Sequence, residues 1–263
     1  MRIFKYMSGE RLVIKIGSNV LTDARGRLDR RSFRRISEQV KKLHKQGKQI
    51  ILVSSGAVVC GLEKLKLDLA QKTIPQKQAA AAVGQSLLMN YYTKFLRPIP
   101  AGQVLLTAFA TSNKERAQNL RNTIEQLLQM RVIPIINEND SVVVEEIKFG
   151  DNDTLSARVA ALVKAHKLLI LTDIDGLYDS DPRANPRAHL RRVVDKITPE
   201  ILKMAGGAGT HKGTGGMFSK VQAARLAVEN GIETYILNGL RRNILFDALK
   251  HKADGTWFKA AKK

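Results

Sequence analysis

Short apolar segments alternate with helical patterns along almost the entire chain, and this alternation constrains the fold more than any other feature. Parallel strands need a crossover long enough to hold a helix, and strands covered on both faces have continuous apolar sequences. The predicted strands lie at residues 12–16, 49–53, 103–107, 132–136, 167–172 and 233–237. The predicted helices lie near residues 30–45, 76–95, 115–129, 154–164, 217–229 and 243–250. This order predicts one α/β domain over residues 1–263, with a mostly parallel sheet covered on both faces.

A glycine-rich turn leads directly into one of the predicted helices, with the sequence Gly213-Thr214-Gly215-Gly216-Met217-Phe218-Ser219-Lys220. Glycine lets the backbone approach a ligand closely, and the N-terminus of a helix attracts anions. Lys220 adds a full positive charge in the first turn. The segment therefore predicts a phosphate cradle and nucleotide chemistry, although a glycine loop that only turns the chain is the alternative.

Polar clusters follow the predicted strands, at the edge of the sheet where ligands bind in folds of this class. Besides the glycine-rich turn, the clusters lie at residues 15–19, 54–57, 137–140, 150–153 and 172–176. Six polar clusters on one rim favour a shared active site over a set of unrelated turns.

Two lysines and several acids within these clusters indicate phosphoryl transfer. Lys15 lies near the end of an apolar strand, and together with Lys220 it could neutralise the charge on a moving phosphoryl group. Nearby carboxylates could hold the lysines, bind an ammonium group or carry Mg²⁺; they belong to Asp140, Asp151, Asp153 and Asp173. For Asp151 and Asp153, capping of a helix is the competing interpretation.

The composition excludes several classes of protein. Cys60 is the single cysteine, which excludes an intramolecular disulfide and a cysteine-based metal cluster, and the five histidines lack the spacing of zinc ligands. No apolar run reaches the roughly 18 residues that span a membrane, and the first residues do not resemble a signal peptide. We therefore expect a cytoplasmic protein without a membrane segment.

The formal net charge of +20 raises the question of a polyanionic partner. Many of the basic residues lie between residues 25 and 48, where apolar side chains recur at spacings of three and four. That pattern predicts an amphipathic helix with its basic side in water. Because no aromatic RNA-binding motif accompanies these charges, a nucleic-acid partner is not expected.

The ordered motifs of the chain resemble those of the amino-acid kinase family, and among its members those that phosphorylate L-glutamate. The motifs are Lys15-Ile16-Gly17-Ser18, Ser54-Ser55-Gly56-Ala57, Asn137-Glu138-Asn139-Asp140, Gly150-Asp151-Asn152-Asp153, Thr172-Asp173, Asp181-Pro182-Arg183 and Gly213-Thr214-Gly215-Gly216-Met217. The similarity extends over residues 12–258. It implies a three-layer α/β/α sandwich with a mostly parallel, eight-stranded sheet.

The resemblance also implies an activity, in which Mg²⁺-dependent transfer of the ATP γ-phosphate to the side-chain carboxylate of L-glutamate gives glutamyl 5-phosphate, the first intermediate towards proline. Lys15 and Lys220 would stabilise the phosphoryl group, and Asp153 would orient both lysines. The implied glutamate-binding residues are Ser55, Asp140, Asp151 and Asn152. The implied nucleotide-binding residues are Lys15, Thr172, Asp173, Thr214, Gly215, Gly216, Met217, Phe218, Ser219 and Lys220.

The same resemblance leads to expectations about the form of the protein. It implies a form without the C-terminal PUA domain that many members carry, a homo-oligomer (dimer or tetramer), and proline as a feedback inhibitor. Two alternative functions stay open. One is a sister kinase that acts on aspartate, acetylglutamate, UMP or carbamate, and the other is a basic nucleic-acid-binding protein on an inactive kinase fold.

Overall fold

A computed structural model describes residues 9–23, 25–67, 73–107, 113–142, 152–206 and 216–260 of the chain. Its strands are β1 Arg11–Ile16, β2 Gln49–Ser54, β3 Ala101–Leu106, β4 Ile133–Glu138, β5 Lys167–Thr172, β6 Val193–Val194, β7 Glu233–Asn238 and β8 Gly255–Phe258. They form one sheet in the order β3-β4-β2-β1-β5-β7-β8-β6. Every neighbouring pair is parallel except β7 and β8. The prediction of a mostly parallel, eight-stranded sheet is confirmed.

Helices cover both faces of this sheet. Those in the described part of the chain are α1 Ser18–Leu21, α2 Arg30–Lys45, α3 Ala57–Leu65, α4 Ile74–Leu96, α5 Lys114–Gln129, α6 Asn152–Leu162, α7 Pro199–Met204, α8 Met217–Glu229 and α9 Ile244–Leu249. Helices α5, α6, α7 and α8 share one hydrophobic core with the sheet, and α1, α2, α3, α4 and α9 share the other. Successive residues of a strand point to opposite faces, so Val13 contributes to the first core and Ile14 to the second.

Helix α2 forms where the apolar periodicity predicts it. Its N-cap is Asp29, whose carboxylate accepts hydrogen bonds from the N–H groups of Arg31 and Ser32. The apolar stripe faces the core and consists of Phe33, Ile36, Val40 and Leu43. The basic side chains at the start of the helix point into solvent, so the interpretation of this cluster as a solvated helix face is confirmed.

Sequence patterns missed α3, which contains a glycine and two β-branched residues, both unfavourable in an isolated helix. The tertiary structure stabilises α3 because its backbone lies directly against that of α4. A Cβ atom added to Gly61 would be 1.8 Å from the carbonyl oxygen of Ala80, and one added to Gly84 would be 1.8 Å from that of Ala57.

Several predicted boundaries were wrong by a few residues. Strand β4 continues through Asn137 and Glu138, which the sequence had placed in the following loop. Helix α6 begins at Asn152, two residues earlier than predicted. Strand β8 was missed because it has only four residues, and because its antiparallel pairing with β7 departs from the parallel pattern of the other strands.

Backbone hydrogen bonds hold the carboxyl ends of the central strands level with one another. The N–H of Ser55 donates to the carbonyl of Ile16, and the N–H of Gly17 donates to that of Leu171, both at 3.1 Å. The polar segments that follow β1, β2 and β5 therefore begin at a common rim. Within the described ranges, no helix is both long enough and apolar enough to cross a membrane.

The contact between α3 and α4 yields the first testable prediction. Gly84→Ala should lower the free energy of unfolding by about 3 kcal/mol, because the new methyl group would collide with backbone atoms that have no rotamer to change. Urea denaturation measures this loss. Val83→Ala, an exposed change at the preceding position, is the control and should stay within about 0.5 kcal/mol of wild type. A loss below about 1 kcal/mol for Gly84→Ala would show that the helices can separate without penalty.

Candidate active site

A single buried carboxylate, that of Asp153, joins two lysines from distant parts of the chain. Its Oδ1 lies 2.6 Å from the Nζ of Lys15, and its Oδ2 lies 3.1 Å from the Nζ of Lys220. The hydroxyl of Ser219 also donates to Oδ2, at 2.9 Å. Asp153 is fully buried and the two lysines are nearly so. One aspartate thus faces two ammonium groups, and cations held in this way can bind an anionic ligand.

Local structure explains why these three side chains meet. Lys15 is the penultimate residue of β1 and points to the face covered by α6 and α8, opposite to its neighbours Ile14 and Ile16. Asp153 lies in the first turn of α6, where the helix dipole favours a negative charge. Lys220 lies in the first turn of α8, one turn after Gly216. The capping interpretation of Asp153 does not hold, because its carboxylate is occupied by the lysines and Ser219.

The surroundings of Asp153 have opposing effects on its ionisation. Burial raises the pKa of this carboxyl group, whereas the positive charges of Lys15 and Lys220 lower it. The charges prevail, so the pKa of Asp153 lies below its ordinary value and the group stays ionised at neutral pH. A carboxylate held in this way fixes the positions of two cations and does not act as a proton acceptor.

The N-terminus of α8 lies one turn from Lys220. A Cβ atom added to Gly216 would meet no atom of a described residue within 4 Å, so none of these residues blocks a ligand from this backbone. The side chains of Met217 and Phe218 pack against the hydrophobic core, which leaves their main-chain N–H groups as the donors for an anion. Two predicted nucleotide-binding residues, Thr214 and Gly215, lie outside the described residues.

A second cluster, built from amide and hydroxyl groups, lies at the ends of β2 and β4. The Nδ2 of Asn152 donates to the hydroxyl oxygen of Ser55 at 3.0 Å and to the Oδ1 of Asn137 at 3.0 Å. It also lies 3.3 Å from the carbonyl oxygen of Ser54. The turn after Ser55 requires glycine, because Gly56 has a φ of 109°. Asp151, predicted beside Asn152, lies outside the described residues.

Asp140 follows β4 and is the unusual acid of the site. Burial raises the pKa of its carboxyl group to about 6, and no described residue donates a hydrogen bond or pairs a charge with it. A desolvated carboxylate without a partner is a ready acceptor for an ammonium group brought by a ligand.

A third group of side chains lies at the end of β5. The hydroxyl of Thr172 donates to the Oδ1 of Asp173 at 3.1 Å. The other oxygen of Asp173 accepts from Arg183 at 2.8 Å and from the Nδ2 of Asn19 at 3.4 Å.

Lys15 of the central cluster is two residues from Gly17, where an added Cβ would lie 3.7 Å from the lysine Nζ. Glycine at this position keeps the approach to the ammonium group free of a side chain.

Sequence patterns identified most of these groups but missed three supporting residues. Arg183 and Asn19 were seen only as parts of motifs, and their contact with Asp173 depends on the fold. Gln85 was missed completely, although a signal exists. It occupies a position of α4 that is in phase with the buried residues Ala81 and Leu88, where an apolar side chain is normal.

Taken together, the geometry provides an anion site beside a site for a charged small molecule. Two ammonium groups and a helix N-terminus suit a chain of phosphates, whereas Asp140 and the Asn152–Ser55 pair suit a ligand that carries both an amino group and a carboxylate. No group of three His, Cys, Asp or Glu side chains in the described ranges could hold a metal ion.

Known proteins are similar to this chain in sequence and in fold. The model of the amino acid kinase family matches residues 10–238. A glutamate 5-kinase of Clostridium acetobutylicum is 50% identical over 257 residues, which are 97% of this chain and 96% of that protein. A glutamate 5-kinase of Streptococcus sanguinis is 45% identical over 259 residues, which are 98% of this chain and 70% of that protein.

Solved structures of lower identity share the architecture. Carbamate kinase from Giardia lamblia bound to AMP-PNP superposes with a TM-score of 0.69 at 17% identity, over 97% of this chain and 99% of that one. UMP kinase from Ureaplasma parvum superposes with a TM-score of 0.62 at 20% identity, over 96% of this chain and all of that one. At these identities the likeness establishes the fold alone.

The raised pKa of Asp140 predicts how stability depends on pH. The pKa of this carboxyl group is higher in the folded protein than in the unfolded chain. Ionisation of Asp140 therefore lowers the free energy of unfolding as pH rises from about 4 through about 6. Asp140→Asn removes that cost and should raise the melting temperature at pH 7.5 by about 2–4 °C, and by clearly less at pH 5.

Thermal unfolding at the two pH values measures the difference. Asp195→Asn, a change at an exposed acid, is the control and should produce no pH-dependent gain. An equal effect of Asp140→Asn at both pH values would mean that burial does not perturb Asp140.

Proposed function

The chain belongs to the amino acid kinase family, and from this premise we propose that it transfers the γ-phosphate of ATP to the side-chain carboxylate of L-glutamate. The product is glutamyl 5-phosphate, an activated acid that serves as the first intermediate towards proline. The reaction is a phosphotransfer with a carboxyl group as acceptor. The observation that carries the proposal is the convergence of Lys15 and Lys220 on one buried aspartate.

The lysine pair supplies what this reaction needs. Phosphoryl transfer is catalysed mainly by positioning and by stabilisation of negative charge, and the attacking carboxylate is already a nucleophile. No general base is therefore required. Lys15 and Lys220 bind the oxygens of the phosphoryl group from two sides, and Asp153 keeps both ammonium groups in place before and during the transfer.

Nucleotide binding is assigned to the N-terminus of α8 and the end of β5. The phosphates bind to the main-chain N–H groups at the start of α8, where no described residue would contact a Cβ atom added to Gly216. Thr172 and Asp173 lie at the end of β5, the strand that pairs with the Lys15 strand β1, and contact the nucleotide from that side. Thr214 and Gly215 continue the cradle on the basis of the family motif.

Glutamate binding is assigned to the segment between β2 and α6. Asp140 accepts the amino group, because its carboxylate is desolvated and has no partner among the described residues. Ser55 presents its hydroxyl proton to a substrate carboxylate, and Asn152 donates to the oxygen of that hydroxyl and so orients it. The family motif adds Asp151. Substrate binding thus places one carboxylate of glutamate near the lysine pair.

Magnesium accompanies the nucleotide and is not assigned to a protein site. Both oxygens of Asp153 are engaged by lysines, and the described residues include no cluster that could enclose a cation. Mg²⁺ is usually held largely by substrate phosphates, which makes a protein cage unnecessary.

The resemblance supports three further proposals about the protein in the cell. It is a cytoplasmic enzyme that forms a homo-oligomer, either a dimer or a tetramer. Proline, the end product, inhibits it at or near the glutamate site. These proposals rest on the family pattern and on no contact described above.

Trapping of the acyl phosphate with hydroxylamine tests the activity and the role of Lys220. The wild-type protein should form γ-glutamyl hydroxamate only when ATP, Mg²⁺ and glutamate are all present. Lys220→Ala should lower kcat at least about 100-fold, because a cation that stabilises the transferred group is lost. Its melting temperature should fall only slightly, since Asp153 keeps Lys15 as a partner.

Lys42→Ala, a change on the exposed face of α2, is the matched control and should leave kcat unaltered. Activity with aspartate, acetylglutamate, UMP or carbamate in place of glutamate would reject the proposed substrate. A wild-type rate in Lys220→Ala would reject the role of that lysine.

The ionisation of Asp140 predicts a pH dependence of glutamate binding. Because only the carboxylate form attracts an ammonium group strongly, KM for glutamate should fall as pH rises through about 6 and level off above it. KM for ATP should not follow the same curve. Initial rates between pH 5 and 8 measure both constants, and Asp140→Asn should raise KM for glutamate and remove its dependence. If KM for glutamate in Asp140→Asn still depended on pH in the same way, the titrating group would be one other than Asp140.

A further inference from the structure

Four side-chain amides form a continuous chain from the glutamate-binding segment to Gln103, an exposed residue on the edge strand β3. The Nδ2 of Asn152 donates to the Oδ1 of Asn137, and the Nδ2 of Asn137 donates to the Oε1 of Gln85 at 2.9 Å. The Nε2 of Gln85 donates in turn to the Oε1 of Gln103 at 3.3 Å. The chain crosses the rim of the sheet, from α6 on one face to α4 on the other, and β4 supplies its middle link.

Backbone groups fix the direction in which these amides point. The N–H of Glu138 donates to the Oδ1 of Asn137 at 2.9 Å, and a main-chain N–H can only be a donor. The carbonyl of Ser54 accepts from the Nδ2 of Asn152, and a carbonyl can only be an acceptor. Rotation of either side-chain amide by 180° would exchange its oxygen and its NH2 group, and would place two donors or two acceptors face to face. The polarity of the chain therefore follows from the main chain.

This polarity determines what Ser55 offers to a ligand. Its hydroxyl oxygen accepts a hydrogen bond from Asn152, and no described residue accepts its proton. The proton is therefore available to a hydrogen-bond acceptor on the substrate, such as a carboxylate oxygen. Were Asn152 reversed, its carbonyl oxygen would take the proton of Ser55, and the site would lose a donor.

Gln85 is the link on which the buried part of the chain depends. Asn137 is only 1% exposed, and its Nδ2 finds its acceptor in the Oε1 of Gln85. A buried NH2 group that loses its acceptor carries a free-energy penalty, and the side chain then moves to reach another acceptor. The place of Gln85 is itself fixed, because the preceding Gly84 brings α4 into backbone contact with Ala57, two residues after Ser55.

We propose that Gln85 is a positioning residue for substrate recognition. It acts through Asn137 to hold Asn152 in the orientation that leaves the hydroxyl proton of Ser55 free to bind the glutamate carboxylate. The proposal rests on the proposed function. Gln85 is not a catalytic residue, because its contacts are with protein groups on the inner side of the rim. Its effect is on the binding of the amino acid and not on phosphoryl transfer or ATP.

Substitutions at Gln85 separate this role from simple packing. Gln85→Leu keeps the volume but removes the acceptor, and KM for glutamate should rise about tenfold. KM for ATP should stay within about twofold of wild type. Gln85→Glu retains an oxygen for the Nδ2 of Asn137, so it should restore KM for glutamate to within about threefold of wild type. Hydroxamate assays with each substrate varied in turn give these constants.

Two further variants keep the test decisive. Asn90→Leu, at an exposed amide of the same helix, is the control and should leave both KM values unaltered. Gln85→Met, which is unbranched and as long as glutamine, removes the acceptor with less disturbance of α4, and should raise KM for glutamate even if the leucine variant fails to fold.

The outcomes distinguish this inference from the function on which it rests. A wild-type protein without glutamate-dependent activity overturns the proposed function itself. An active wild type overturns the role of Gln85 if the leucine and methionine variants keep a normal KM for glutamate. The same conclusion follows if KM for ATP rises in parallel, or if the glutamate variant is as impaired as the leucine variant.

Discussion

The arrangement of the site depends on one buried ion cluster, in which the carboxylate of Asp153 holds Lys15 and Lys220. The three buried charges depend on the shared carboxylate, because removal of Asp153 would take the same counter-ion from both lysines, whereas loss of one lysine leaves the other paired. The cluster also ties β1, α6 and α8 together at a single point. The same contact therefore orders the helix layer and aims two cations at the place where phosphoryl transfer is proposed.

On the opposite face of the sheet, the packing of α3 against α4 positions uncharged side chains of the site. The backbones of helices α3 and α4 are in direct contact at Gly61 and Gly84, and this contact fixes the position of α4 relative to the sheet. Gln85 is thereby brought to Asn137, and the amide chain reaches Asn152 on the other side of the sheet. In the proposed mechanism, glutamate recognition and charge stabilisation are thus supported by different layers that meet at adjacent residues of α6, Asn152 and Asp153.

Patterns that depend on local periodicity predicted the fold well. The bounds of α2, β5 and α8 agree with the sequence to the residue, because their apolar spacing and flanking signals are unambiguous. Elements with weak local signals were missed, since α3 has glycine and β-branched residues and β8 has only four residues. Gln85 was missed in the site for a related reason, as its partner Asn137 is 52 residues away.

The sequence by itself determined the class of the fold, the rim on which the polar clusters lie and the kind of chemistry that they suit. These properties follow from hydrophobic periodicity and from residue type, and both can be seen within a short window of sequence. Only the tertiary structure decided that Lys15 and Lys220 share Asp153, that Asp140 is left without a described partner, and that an amide chain links Asn152 to Gln103. These depend on distances between residues far apart in the chain, and on burial, which changes the strength of every charge and hydrogen bond.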